Sequence, residues 1–443
     1  MIQQPQTYLL WLYLIVASRA GLAPQWTPGD KCPDHISTIV PNFDCYNDCL
    51  TKQFGSMVTL HSSLITCPNI QTLDLRLTML GCTEFPDRWN FPFKLEGGDS
   101  YPSLQSLRLE GYHFTSREWS NDRPYASWMD GLPWYERLAE WIFSGRALRV
   151  ARYSQIPMHQ RNKTNMELWL DAMDWSKLET LALLDNTGQD DLLGHAGLFP
   201  ALRDLDIFGS GNLTTKFIQE LQPNTLVNLT WTYDWSPEDL YPVLACQGSS
   251  LRRLEMRSGE LYRQSSPALG HSQVTLLSQM APGLEHLSIN LRRNGTFPLE
   301  ILESISAIPS LSTLDLWLDI LSDCRREIPD DLSMTLVEQE EWREQRAGEC
   351  AGEDIYQRPF VNSTSALDLF NFMRDKKVGD ELRNVTFWVG DWSRPWIGAL
   401  YIPDFLDGKR AKVSCSVEDK IGSEAQCTMD VGNMYWNRTD GYW

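Results

Sequence analysis

Leu284-Glu-His-Leu-Ser-Ile289 reads L-x-x-L-x-L, and the chain repeats it. Close copies are Ile70-Gln-Thr-Leu-Asp-Leu75, Leu104-Gln-Ser-Leu-Arg-Leu109, Leu178-Glu-Thr-Leu-Ala-Leu183 and Leu202-Arg-Asp-Leu-Asp-Ile207. Further along come Leu226-Val-Asn-Leu-Thr-Trp231, Leu251-Arg-Arg-Leu-Glu-Met256 and Leu311-Ser-Thr-Leu-Asp-Leu316. Leu148-Arg-Val-Ala-Arg-Tyr153 and Leu382-Arg-Asn-Val-Thr-Phe387 are weaker copies. Successive starts lie 34, 44, 30, 24, 24, 25, 33, 27 and 71 residues apart. One such hexapeptide suits any isolated strand. Ten in near-register indicate a solenoid, because repeats of roughly 20–29 residues bury their apolar faces only by stacking on one another.

Each copy is expected to form a short strand with its first, fourth and sixth residues pointing inward. Helical segments intervene. Leu138, Trp141 and Ile142 share one face of Pro133–Gly145, and Val274, Leu277 and Ala281 share another. So do Leu299, Leu302 and Ile305, and then Leu367, Phe370 and Met373. Pro or Gly stops the helix ahead of the next strand in Phe199-Pro-Ala-Leu202, Ala281-Pro-Gly-Leu284 and Ile308-Pro-Ser-Leu311. This order, helix then P-x-L-x-x-L, resembles the ribonuclease-inhibitor-like class of leucine-rich repeat. It is most similar to the repeats of F-box proteins of filamentous fungi, over about Thr51 to Trp388. The resemblance implies an α/β horseshoe with parallel strands on the concave face, helices on the convex face and disulfide-containing caps.

The expected organisation is a signal peptide at 1–20, a cysteine-rich cap at 21–50, the solenoid at 51–388 and a C-terminal cap at 389–443. Insertions at 110–131 and 323–354 break the repeat period. The first is rich in aromatic residues, and the second is acidic and bracketed by Cys324 and Cys350.

Several features point to the secretory pathway. Tyr8-Leu-Leu-Trp-Leu-Tyr-Leu-Ile-Val-Ala17 is an apolar run too short to span a bilayer, and Ser18-Arg-Ala20 offers a cleavage site. The n-region has no Lys or Arg. Asn162, Asn212, Asn228, Asn294, Asn362, Asn384 and Asn437 each stand two residues before Thr, and all are expected glycosylation sites. About one such motif is expected by chance from this composition. Ten cysteines suit an oxidising compartment. Cys324–Cys350 and Cys415–Cys427 are expected disulfides, and Cys246 a free, buried thiol. The C-terminal residues carry no hydrophobic tail, so no stable membrane anchor is expected.

A formal net charge of −19 argues against nucleic acid or anionic membrane as the main partner. No G-x-S-x-G, H-E-x-x-H, G-x-x-x-x-G-K or G-x-G-x-x-G motif is present, so no catalytic residue, metal or cofactor is assigned. The third, fifth and seventh motif positions point away from the core by the period-two rule and form ladders on stacked strands. The richest part of this surface is Arg253, Glu255, Arg257, His286, Ser288, Asn290, Asp315 and Trp317. Exposed Trp and Arg are frequent binding anchors. The expected function is therefore recognition of a protein or glycan partner by a secreted, non-catalytic glycoprotein. One alternative is an accessory or enzymatic factor of a secretory or biosynthetic pathway. Another is an intracellular F-box-like adaptor, which the signal and sequons oppose.

Overall fold

The computed structural model describes residues 26–40, 54–55, 57–77, 95, 98–112, 114, 165–184, 189–259, 265–320, 322, 357–390, 411–417 and 424–430. They belong to two compact units, Met1–Lys177 and Leu178–Trp443. The expected signal, the Pro133–Gly145 helix, the 323–354 insertion, Asn162, Asn437, Cys324 and Cys350 lie outside the described residues, as do Cys45, Cys49 and Cys82.

In the first unit, strands β1 (His35–Val40), β2 (Thr72–Leu77) and β3 (Ser106–Glu110) pair in parallel and in chain order. Helix α1 (Met57–Thr66) joins β1 to β2, and α2 (Asn165–Ala172) follows β3. β1 falls inside the segment expected to be a cap. Its alternation of buried and accessible residues matches that of β2, so His35–Val40 supplies a sheet strand although it lacks the L-x-x-L-x-L signature. Cys32, just before β1, is disulfide-bonded to Cys67, just after α1. Tyr112 and Phe114, from the expected insertion, are buried against Trp169 of α2. The Trp169 indole N–H donates to the Tyr112 hydroxyl at 2.8 Å, which satisfies both polar tips inside an aromatic core. His61 Nδ1 lies 2.6 Å from the Tyr101 hydroxyl. Burial pushes the His61 ring down to about 4, against a smaller upward pull from Asp99, so it is neutral at pH 7.

The second unit contains β4 (Thr180–Leu183), β5 (Asp204–Phe208), β6 (Asn228–Thr232), β7 (Arg253–Arg257), β8 (His286–Asn290), β9 (Thr313–Leu318) and β10 (Asn384–Val389). These pair in parallel, each with its neighbours in sequence. The direction then reverses, and β11 (Ala411–Ser416) and β12 (Gln426–Asp430) add antiparallel. Cys415 and Cys427 face each other across these two strands and form the expected disulfide. Helices α3 (Asp190–Leu193), α4 (Gly211–Glu220), α5 (Leu240–Gln247), α6 (His271–Met280), α7 (Leu299–Ser306) and α8 (Ser363–Asp375) alternate with the strands. No helix among the described residues is long and apolar enough to cross a membrane.

The Leu ladder is the core. Leu205, Leu229, Leu254, Leu287, Leu314 and Val385 stand in one register row, and Ile207, Trp231, Met256, Ile289, Leu316 and Phe387 in the next. Every one is at most 2% exposed. The residue after each leading Leu extends the ladder beyond the strands. Val227 N–H donates to Arg203 O, Arg252 N–H to Val227 O, Glu285 N–H to Arg252 O and Arg383 N–H to Ser312 O, each at 2.8 Å. The helix faces follow the expected spacing at Val274, Leu277, Ala281, Leu302, Ile305, Phe370 and Met373, all fully buried. Leu367 is half-buried, and Leu299 departs further. As the first residue of α7 it precedes the turn that meets the sheet, and it is 47% exposed.

One polar side chain is built into this core. Gln247, at the end of α5, is fully buried. Its Oε1 accepts from the backbone N–H groups of Thr225 and Leu226 at 3.0 and 3.1 Å, and its Nε2 donates to Gln222 O at 3.0 Å. The carboxamide thus joins one helix to the backbone leading into β6. Gln247→Leu strands the buried Leu226 N–H and the part-buried Thr225 N–H and is expected to cost about 2 kcal/mol in urea unfolding, since an orphaned buried donor costs about 1–3 kcal/mol. A loss below about 1 kcal/mol would mean that water replaces the carboxamide.

Candidate functional site

Strand register fixes which side chains meet on the outward face of the second unit. The third-position row runs Asp204, Asn228, Arg253, His286, Thr313, Asn384 and Ser416. The fifth-position row runs Asp206, Thr230, Glu255, Ser288, Asp315, Thr386 and Ser414. Alternation along each strand sends both rows to the same side, opposite the Leu ladder.

All eight residues singled out from the sequence lie on three adjacent strands, β7 to β9. Arg257 Nε donates to Glu255 Oε1 at 2.6 Å, and Arg253 approaches the other Glu255 oxygen at 3.4 Å. Glu255 is therefore held between two guanidinium groups. His286 Nε2 lies 3.0 Å from Asp315 Oδ2, a close contact not aligned as a hydrogen bond. The Trp317 indole N–H donates to Ser288 Oγ at 2.9 Å. Asn290 turns its amide to the backbone of Ser258, accepting from its N–H at 2.7 Å and donating to its carbonyl at 3.0 Å.

Ser288, Asn290 and Trp317 are expected to face solvent, and here the structure differs. They occupy outward positions but are only 2%, 3% and 9% exposed. The cause is the size of their neighbours. Trp317 stacks on Trp388 of β10, with centroids 4.9 Å apart and planes 5° from parallel. Its other face is covered by the Arg257 guanidinium, 4.0 Å from the ring centroid. Lys412 Nζ of β11 lies 4.4 Å over Trp388. Ser288 sits beneath the Trp317 indole, and Asn290 is drawn inward by Ser258. Trp388 occupies the seventh motif position and is legible in the sequence. Lys412 is not, because the motif carries no register for an antiparallel strand. The alternation of Ala411-Lys-Val-Ser-Cys-Ser416 marks only a strand.

Loops past the strand ends hold this face in place. Asp319 accepts from the Ser266 hydroxyl at 2.7 Å and from its N–H at 3.0 Å. Arg293, 5% exposed, donates to Pro359 O at 2.7 Å. Segments following β7, β8 and β9 and preceding α8 are thereby tied together. Burial opposes ionisation of Asp315, but contacts from His286, the Trp388 indole N–H and Thr386 more than offset it. The carboxyl is held below its ordinary value.

The sequons differ in accessibility. Asn212, Asn294, Asn362 and Asn384 are exposed. Asn228 is half-buried and donates its amide to Asp204 Oδ1. Asn362 also caps α8, accepting from Ser365 N–H at 2.9 Å through its side-chain oxygen. Cys246 is free, as expected, but half-buried where full burial is expected, with Sγ 3.6 Å from Gln219 O. Its place on α5 leaves one side of the thiol at the helix surface. Among the described residues, no group of three or more His, Cys, Asp or Glu side chains could hold a metal ion. No protein-family model matches this chain, and no curated protein matches it.

Two consequences are measurable. Trp317→Ala opens the stack and is expected to cost about 3 kcal/mol, near the low end for a buried Trp. A neutral effect in urea unfolding would show that the stack contributes nothing to stability. Asp315 is a depressed acid, so its contribution is present above its unfolded value, about 3.9, and is lost as pH falls through the folded value below that. Wild type should therefore lose more stability than Asp315→Asn between about pH 5 and pH 2. Parallel curves for the two proteins would remove Asp315 as the cause.

Proposed function

We propose that this chain is a secreted, glycosylated leucine-rich-repeat protein without catalytic activity, which recognises a partner through the outward face of β7 to β10. The observation that carries the reading is the connected set Glu255–Arg257–Trp317–Trp388–Asp315–His286, drawn from four strands and fixed by ion pairs, stacking and indole hydrogen bonds. A surface ordered before binding loses little side-chain entropy on association, which favours affinity. The two disulfides, the exposed sequons and the apolar N-terminal run support the secretory pathway. The L-x-x-L-x-L ladder and its alternating helices support the leucine-rich-repeat assignment.

Protein recovered from culture medium should begin near Gly21 and lose mass on endoglycosidase treatment. Intact Met1 on an unglycosylated cytosolic protein would refute secretion. The same material, screened against peptide and glycan arrays, should yield a ligand whose binding Arg257→Ala weakens by about 1–2 kcal/mol. Lys216→Ala, on the exposed side of α4, should leave it unchanged. Equal effects from the two substitutions would remove β7 to β10 as the site.

A further inference from the structure

The stack on the outward face has a composition that selects among ligand chemistries. It runs Arg257, Trp317, Trp388, Lys412, with successive separations of 4.0, 4.9 and 4.4 Å. Both outer aromatic faces are covered by cations, so neither indole offers a free face for a sugar ring. Both indole N–H groups are used, on Ser288 and Asp315. What remains is cationic: Arg257, whose side chain is 16% exposed, and the half-buried Lys412. Arg257 commits Nε to Glu255, and its two terminal nitrogens make no hydrogen bond among the described residues. Lys412 Nζ likewise makes none. A guanidinium centred over an indole and anchored through Nε holds its remaining donors in a restricted orientation, and such a fork suits a carboxylate.

The local charge agrees. On the outward positions of β7 to β11 the charged residues are Arg253, Glu255, Arg257, Asp315 and Lys412. They give a net charge of about +1 with His286 neutral, on a chain whose formal net charge is −19. The acids among them are already engaged, Glu255 by Arg253 and Arg257 and Asp315 by His286 and Trp388. β5, two strands from β7, instead carries Asp204 and Asp206, so the face changes sign along the sheet.

We infer that the ligand of this face is an acidic peptide segment, its carboxylates bound by Arg257 at one end of the stack and Lys412 at the other. This rests on the recognition reading above. The two cations lie at most roughly 13 Å apart along the stack, which an extended peptide spans in about four residues at ~3.3 Å each. Acidic side chains at i and i+4 therefore fall on one side of the peptide at the required separation. Asn228 and Asn384 stand at the third motif position and open β6 and β10, so glycans there crowd the starts of the strands. The ends, where the stack lies, stay open to a narrow ligand.

The test is fluorescence anisotropy of labelled hexaglutamate with the full-length secreted protein, at low ionic strength and at about 0.15 M salt. Saturable binding that weakens with salt is expected. Arg257→Gln and Lys412→Gln should each reduce affinity roughly tenfold, as loss of a charge-assisted contact implies. Lys216→Gln should not change it. The use of two variants, on different strands, guards against misfolding of either one. Equal binding of hexalysine, or hexaglutamate binding unaffected by both substitutions, overturns the inference. Tighter, stack-dependent binding of a sulfated oligosaccharide of equal charge overturns the peptide assignment. If hexaglutamate fails while another ligand still depends on Arg257, the recognition face stands and this inference falls.

Discussion

The parallel ladder imposes the constraint on which the rest of the molecule depends. Each strand of β5 to β9 is only five or six residues long and has no partner within its own repeat. Its backbone groups are satisfied only by the strands before and after it, and its apolar residues are buried only if those strands keep the same register. A slip of one residue would turn Leu254 and Met256 outward and Arg253, Glu255 and Arg257 into the core. The cost of burying three charges without partners far exceeds what ladder hydrogen bonds return. Register is therefore fixed by the same alternation that creates the outward face. Fold and surface are two readings of one pattern.

This explains how much of the protein can be read from its residues. The strands β2 to β10 fall on the quoted motifs, because a period-two core position tolerates little besides Leu, Ile, Val, Phe or Met. The helices fall between them, ended by Pro or Gly. β1 escapes, because His35-Ile-Ser-Thr-Ile-Val40 places Thr38 opposite Leu75, where the motif has Leu. Thr38 is fully buried there and satisfies its hydroxyl on Phe54 O at 3.0 Å. A polar residue at a core position is legible only once its partner is known, and that partner lies 16 residues away. Gln247 escapes for the same reason.

The surface was legible as a set of positions and not as a set of contacts. Period-two reasoning places Arg257, Trp317 and Trp388 on one face. It does not say that Asn290 folds inward and lets the Arg257 side chain reach across β8 to Trp317. Nor does it count side-chain volume. Two tryptophans on neighbouring parallel strands, about 4.8 Å apart, fall within the roughly 4.5–7 Å centroid separation of offset-stacked rings, so stacking is the natural outcome of their register. Residues beside such a pair are covered, which is why Ser288 and Trp317 are less accessible than their positions alone indicate.

The Cys32–Cys67 bridge bears on the side of folding that contacts do not report. A strand inside the ladder is held from two sides, whereas β1 pairs only with β2 among the described residues, so it has half the usual support and a tendency to fray. Hydrogen bonds cannot make good that deficit among the described residues, where β1 has no second strand to bond. The bridge acts on the opened chain instead. Tethering residues 35 apart removes conformations from the frayed state, by about 4 kcal/mol on the loop-entropy scale. Opening the end of the ladder then releases β1 into a closed loop already joined to α1, and the ladder can re-form from that loop without a search by a free end.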